Sequence, residues 1–486
     1  MDCIVIAGIF LVTGMLLSNI NYYSFPSGDF IPYVDEGRAF VSGSLPPLLN
    51  NAPIYSVAIV LLGKLIPYQY PELIAGIILN IALFAIGIWM VWKIAEQWFG
   101  RVGLVVFCYL LLHPLSYHVV LNPLNIVAFS TAFLTTIYLR MKGRSAAAYA
   151  LAGISYWIRP EAVALLLAMG AIDLIRNVQK KQTLKYLILA SLPMILWEIS
   201  VAFHNEGGNI YAAESLALRS EIPNGYFLNF TFSNLIVTEQ FLQNPWLLGA
   251  LLAYIIAGVV FFILDKNREK QLLSLYTLVY FAIHLFFPGK GDRYTFPLLM
   301  PAAVLSVWPL ELSLKLNKKI QKKLGMGIRL LFILFSIGVV LNNKTQIQPF
   351  LSARKEYRGE YRMIADWITQ QLFQRPTVIV TFNPGGVQYF TNNNSVEIFR
   401  IEDHIDQCDT ITCVIFNNWQ YFNNKDILLI YDSFTQKSDT IYDNRHGVKL
   451  FKNMEHSQDK KYFRFMQMLE SEDRWVKIYR FNISSS

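Results

Sequence analysis

The chain has 486 residues, of which 54% are hydrophobic and 16% charged, with a mean hydropathy of +0.36 and a formal net charge of +8. A soluble domain carries about 25% charged residues, so this balance excludes an ordinary soluble protein and predicts a polytopic α-helical membrane protein. The positive charge does not indicate nucleic acid, because Lys and Arg fall in short clusters between apolar runs, where they act as topology signals. Four cysteines in a chain of this length exclude a disulfide scaffold, and no metal-ligand spacing joins them.

A membrane helix needs about 20 apolar residues, and loops rich in Lys and Arg stay on the cytoplasmic side. The apolar start, Met1 to Ile20, has neither a basic leading segment nor a small-residue cleavage site, so it is expected as a retained helix leaving the cytoplasm over Ile4–Ile20. The first outer loop, residues 21–53, then carries Asp29, Asp35, Glu36 and Arg38. Ile54–Ile66 is short for a span and follows Pro46, Pro47 and Pro53; it predicts a helix lying in the outer interface. Leu73–Trp92 returns inward to Lys93 and Arg101, Val102–Val120 goes out, and Leu124–Leu139 comes back to Arg140, Lys142 and Arg144.

Ala146–Ile158 and Ala162–Ile175 are joined by Arg159-Pro160-Glu161 and flanked on both sides by basic clusters. They predict a helical hairpin whose tip carries charge towards the outer face; the alternative is an interfacial arginine beside a helix-starting proline. Tyr186–Phe203 goes out, Trp246–Leu264 in and Leu272–Phe287 out. The turn Pro288 to Tyr294, with Lys290 and Arg293, leads into Thr295–Leu314, and Leu330–Leu341 delivers the remaining chain outside. The sum is about eleven membrane segments in residues 1–341.

From Asn342 the composition turns polar and mixed. The runs Thr377–Thr381, Thr412–Phe416 and Ile427–Tyr431 predict strands, and Tyr361–Phe373 has helical spacing. Residues 342–486 are therefore expected as an extracytoplasmic α/β domain. Cys408 and Cys413 fall within it, and the sequence leaves open both a local disulfide and two free thiols.

The acids of the first outer loop and the cations Arg38, Arg159, Lys290 and Arg293 all map to one membrane face. A lipid-linked phosphate substrate needs such an arrangement: its tail lies between helices, its phosphate meets Arg or Lys, and its sugar faces water. An acceptor hydroxyl attacking the sugar needs a carboxylate base, while the phosphate leaving group needs charge neutralisation. The bland reading of Asp35 and Glu36 is that they start an interfacial helix and interact with its dipole. His118, His204 and Glu206 lack metal-site spacing and read as solvated loop residues.

The run Val34-Asp35-Glu36-Gly37-Arg38-Ala39-Phe40-Val41-Ser42-Gly43, followed by Pro46-Pro47 and Ala52-Pro53-Ile54-Tyr55, resembles the first outer loop of the GT-C glycosyltransferases. These use polyprenyl-phosphate sugars and include protein O-mannosyltransferases and the aminoarabinose transferases of lipid A. The resemblance continues through Trp98-Phe99-Gly100-Arg101, Ile158-Arg159-Pro160-Glu161, Arg293-Tyr294-Thr295-Phe296-Pro297, and Thr381-Phe382-Asn383-Pro384 with Gln388-Tyr389-Phe390-Thr391. It implies a GT-C-like transmembrane domain in the plasma membrane and inverting transfer of a sugar from a polyprenyl-phosphate donor. The acceptor would be a glycan, lipid or protein on the extracytoplasmic side. Asp35 would be the base, Glu36 would shape the loop and Asp29 is the reserve base. Arg293, Lys290 and Arg159, with Arg38 and Tyr294, would serve the phosphate. Many members have Thr-Asp where this chain has Leu124-Asn125, so Asn125 is kept as a site residue, and acceptor handling or the use of a divalent metal stays open. The rival readings are a polysaccharide polymerase or ligase, and a lipid-linked sugar transporter or flippase, which would call for intramembrane charges and repeat symmetry.

Overall fold

The computed structural model describes residues 2–18, 30–46, 49, 51–67, 71–100, 103–176, 180–205, 245–286, 292–305 and 307–315, five strands between 377 and 481, and residues 363, 364, 367, 368, 370, 415, 420 and 425. The chain divides into two compact units, Met1–Asn21 with Pro32–Leu351, and Tyr22–Ile31 with Ser352–Ser486.

The first unit is helical. Its described elements are α1 (Asp2–Ser18), α2 (Phe30–Val41, whose first two residues belong to the second unit), α3 (Pro53–Gly63), α4 (Pro71–Phe99), α5 (Gly103–Leu111), α6 (Pro114–Val120) and α7 (Ile126–Met141). They continue with α8 (Ser145–Ile154), a 3-10 turn (Ser155–Trp157), α9 (Ala162–Ile175), α10 (Lys180–His204), α11 (Pro245–Ile263), α12 (Arg268–Phe286), α13 (Asp292–Leu305) and α14 (Trp308–Lys315). Two of these, α4 with 29 residues and α10 with 25, are long and apolar enough to cross a membrane. α1, α3, α7 and α9 are shorter apolar helices. The expected span Val102–Val120 is two pieces, because Pro114 has no N–H to continue α5 and instead starts α6 behind the cap His113, whose Nδ1 accepts from Leu115 N at 3.2 Å. Thr295–Leu314 is likewise divided between α13 and α14. The acidic loop is not all loop, since its centre is α2. Leu330–Leu341 lies outside the described residues.

Side-chain contacts fix the relative directions of α4, α7, α12 and the α8–α9 hairpin. At one end of α4, Lys93 Nζ is 2.9 Å from Asp2 Oδ1 of α1, and Ala95 packs on Gly103 at the start of α5. At that same end Lys270 of α12 lies over the rings of Trp98 and Phe99 and donates to Glu311 of α14 at 2.6 Å. At the other end of α4, Glu72 accepts from Arg38 of α2. α7 runs parallel to α4, with Asn80 donating to Asn122 O and Leu124 O, and Thr131 Oγ1 to Leu83 O. α12 is antiparallel to α7, since Phe133 stacks on Tyr276 and Phe129 on Tyr280. α8 and α9 form a hairpin returning to where it began: Arg140 at the end of α7, Tyr149 of α8 and Asp173 at the end of α9 meet there. The hairpin places Arg159 beside Asn125, at the start of α7.

Gly143, at φ +73°, ends α7 in a conformation that an L side chain rarely adopts, with Arg144 N donating back to Leu139 O.

In the second unit, β1 (Thr377–Thr381), β2 (Val396–Arg400), β3 (Asp426–Asp432), β4 (Phe463–Ser471) and β5 (Arg474–Phe481) form one sheet of order β2-β1-β3-β5-β4. β1 is parallel to both β2 and β3, and the remaining pairs are antiparallel. Val378, Ile379 and Val380 are successive and all buried, as befits a central parallel strand covered on both faces. Ile415, the described residue of the run Thr412–Phe416, is helical rather than extended; a short apolar run does not distinguish the two by periodicity. Cys408 and Cys413 lie outside the described residues.

Candidate active site at the Glu72 end of the helical unit

The 12-residue helix α2 carries Asp35 and Glu36 in its middle, not in the first turn where the bland reading would place them. Adjacent residues on a helix point about 100° apart, and here they separate completely. Asp35 is exposed, whereas Glu36 is buried at 4% exposure. Glu36 accepts from Asn51 N at 3.1 Å and from Asn51 Nδ2 at 3.2 Å, tying α2 to the segment that leads into α3. Gly37 completes the attachment. A Cβ there would stand 2.3 Å from the backbone oxygen of Ser56, so only glycine lets α2 cross α3 at backbone contact. The helix ends at Gly43, at φ +77°, with Ser44 N donating to Ala39 O at 3.0 Å.

Arg38 projects from the same helix and donates through Nε and Nη2 to Glu72 Oε1, at 2.9 and 2.6 Å. The structure thus engages this predicted phosphate ligand in an ion pair, with the arginine side chain 52% exposed. Beyond α2, His204 Nε2 lies 2.6 Å from Pro46 O, and Asn205 bonds both backbone groups of Leu49. The loop that carries the acids is therefore fastened on two sides, by α3 and by the end of α10.

Beneath this rim a buried polar chain leads inward. Tyr33 of α2 meets the ring of Tyr55 edge-on at 5.7 Å, and Tyr55 Oη donates to Asn80 Oδ1 at 3.1 Å. The Asn80 amide holds the carbonyls of Asn122 and Leu124. Next in sequence, Asn125 donates to Ile158 O at 2.6 Å and accepts from Arg159 Nη1 at 3.0 Å. Arg159 also donates through Nε to Glu161 Oε2 at 3.1 Å and through Nη2 to Glu161 Oε1. Asn125 and Arg159, two predicted site residues, are thus brought together and both buried. An amide suits this place as an acid would not: it accepts from the guanidinium and donates to a carbonyl at once.

Asp29 and Lys290 lie outside the described residues; Arg293 and Tyr294 fall in the first turn of α13, and their side chains lie outside them as well. No group of three or more His, Cys, Asp or Glu that could hold a metal occurs among the described residues. Sequence reasoning missed Asn51, Glu72, Asn80 and Glu161 as partners. Asn80 had a visible signal, a lone amide inside the apolar run Leu73–Trp92, since a polar group at membrane depth requires a partner.

No protein-family model and no curated protein sequence matches the chain. Among solved structures it is similar to proteins of the GT-C class of glycosyltransferases, which are polytopic membrane proteins, and the likeness defines its fold as GT-C. The individual structures are ArnT from Cupriavidus metallidurans and an oligosaccharyltransferase from Archaeoglobus fulgidus. ArnT bound to undecaprenyl phosphate superposes with a TM-score of 0.58 at 12% identity, covering 100% of this chain and 98% of that one. ArnT in the apo state gives 0.53 at 12% identity over 98% and 97%. The oligosaccharyltransferase, in complex with Zn and sulfate, gives 0.52 at 10% identity over 96% of this chain and 72% of that one.

Proposed function

We propose that the chain is an integral membrane glycosyltransferase that moves a sugar from a polyprenyl-phosphate donor to a glycan, lipid or protein acceptor on the extracytoplasmic side of the plasma membrane. Residues 1–341 form the transferase domain, and 342–486 an extracytoplasmic α/β domain. Asp35 is the general base that takes the proton from the acceptor hydroxyl, with Asp29 in reserve. Arg159, Lys290 and Arg293, with Tyr294, neutralise the phosphate. The transfer proceeds with inversion, the acceptor oxygen forming its bond to the anomeric carbon as the sugar–phosphate bond breaks and the lipid phosphate keeps the electron pair.

The observation that carries this reading is the presence of an exposed carboxylate, Asp35, and a buried arginine, Arg159, in one helical unit of GT-C fold. The base must meet an acceptor arriving from water, and the guanidinium must stand at the depth of a lipid headgroup. ArnT bound to undecaprenyl phosphate, similar along its whole length, supports a lipid phosphate as the leaving group. The test is transfer of radiolabelled sugar from polyprenyl-phosphate donors in membranes, with equal expression of each variant. Asp35→Asn is expected to lower transfer by about 100-fold or more, and Asp29→Asn to leave most of it. Full activity in Asp35→Asn overturns the assignment of the base.

A further inference from the structure

Asn80 is fully buried inside α4, about 12 Å along the axis from Glu72 at 1.5 Å per residue. An amide at that depth must be satisfied by protein groups, and here both sides of it are. Its Oδ1 accepts from Tyr55 Oη at 3.1 Å, and its Nδ2 donates to Asn122 O at 2.9 Å and Leu124 O at 3.3 Å. Both carbonyls belong to the connection between α6, which ends at Val120, and α7, which begins at Ile126. Between them in sequence, Pro123 packs on Gly76, four residues before Asn80 and on the same face of α4. A Cβ on Gly76 would stand 2.6 Å from Pro123 Cβ and 3.5 Å from Tyr55 Oη. The connection is therefore seated on α4 at two successive turns, by close contact at Gly76 and by hydrogen bonds from Asn80.

The next residue of the connection is Asn125, which accepts from Arg159 Nη1 at 3.0 Å and donates to Ile158 O at 2.6 Å. We propose that Asn80 is a positioning residue for Arg159. By gripping the carbonyls of Asn122 and Leu124 it sets the depth of Asn125 and, through it, the direction in which the guanidinium meets the lipid-linked phosphate. The proposal rests on the reading of Arg159 as a phosphate ligand. Asn80 acts through Asn125 and needs no contact with a substrate. The chemistry explains the residue type: a carboxylate would face two carbonyls without a donor, and an apolar side chain would leave both unsatisfied.

The experiment is direct titration of the purified full chain in detergent with undecaprenyl phosphate, alongside the ligand-free melting temperature. It compares wild type, Asn80→Leu, Gly76→Ala and Tyr55→Phe. Folded Asn80→Leu is expected to bind about tenfold more weakly. Gly76→Ala keeps every donor and displaces the same connection through Pro123, with an expected loss of about threefold to tenfold. Tyr55→Phe leaves both amide donors in place, so its melting temperature should fall while its affinity stays within about twofold of wild type. Arg159→Lys keeps the charge and loses the fork, and in that background Asn80→Leu should weaken binding by less than about twofold. A merely structural asparagine would give the same change in both backgrounds. Wild-type affinity in Asn80→Leu overturns the proposal, as does the full loss repeated in the Arg159→Lys background. Where Asn80→Leu does not fold, wild-type affinity in Gly76→Ala overturns it. Absence of binding to wild type overturns instead the phosphate reading of Arg159, and is seen before any substitution is made.

Discussion

The two ends of the helical unit are built from similar residues and to opposite purpose. At the Lys93 end, Arg140 meets Asp173 through Nη1 and Nη2 at 2.8 and 2.7 Å, and Tyr149 adds a third bond to the same carboxylate. The partners come from α7, α8 and α9, and both charged side chains are at most 8% exposed. Lys270 and Glu311 repeat the pattern between α12 and α14. These pairs join separate helices and closed geometry leaves them little else to do. At the Glu72 end Arg38 likewise joins α2 to α4 through Glu72, but the buried Arg159 takes its counter-charge from two residues along its own turn, and Asp35 of α2 is exposed. A pair joining distant helices fastens the fold, whereas a local pair can open without separating any helices. The second kind is where binding can be afforded.

The sharpest way to break this contrast is at the fastening end. Asp173→Ala leaves Arg140 buried without its carboxylate and is expected to cost about 3–5 kcal/mol, read as a large fall in melting temperature. The folded fraction should bind undecaprenyl phosphate with unchanged affinity. Altered affinity in that fraction would mean that the ends are coupled rather than divided in role. A smaller effect is expected from Gly37→Ala, where a methyl group must push α2 away from Ser56 at a cost of about 1–3 kcal/mol. Because α2 carries Asp35, transfer should fall more than stability does, and equal loss of both would remove α2 from the chemistry.

The smallest expected effect concerns Asp2, ahead of the first apolar run. Hydrogen bonds from the Lys93 ammonium and then the Trp92 indole hold its carboxyl below the usual range. A depressed pKa in the folded state means that the contribution is present above the unfolded value and is lost as pH falls through the folded one. Asp2→Asn should therefore melt slightly lower than wild type at neutral pH, and the difference should vanish in acid. A difference that persists in acid would assign the effect to packing.

Much of the helical architecture was legible in the sequence because apolar runs bounded by charged clusters mark helices. The limits Ala162–Ile175 and the hairpin tip at Arg159 follow from two apolar runs between basic clusters. The fracture at His113-Pro114 was legible in principle, since proline stops a helix, but the apolar residues on either side of it read together as one span. The partners of charged residues were not legible. Arg140 reads as a topology signal beside Lys142 and Arg144, yet it alone of the three is buried against an acid 33 residues away. Periodicity reports which face of a helix is apolar and not which helix lies opposite. Asp35 and Glu36 look equivalent in sequence, and only the crossing of α2 over α3 at Gly37 decides which one is buried.

The bonds joining α7 to the hairpin link residues 34 apart at one end, Asn125 to Arg159, and 33 apart at the other, Arg140 to Asp173. Two parallel helices of 16 and 14 residues are thus pinned at both ends, over about 21–24 Å at 1.5 Å per residue. A slip by one turn would displace them by about 5.4 Å and break both sets of bonds together. The hairpin therefore works as a depth gauge: it fixes how far the guanidinium of Arg159 stands from the opposite end of the bundle. Rearrangement around a ligand is then left to the tip turn and to side chains, with no sliding of the helices that carry them.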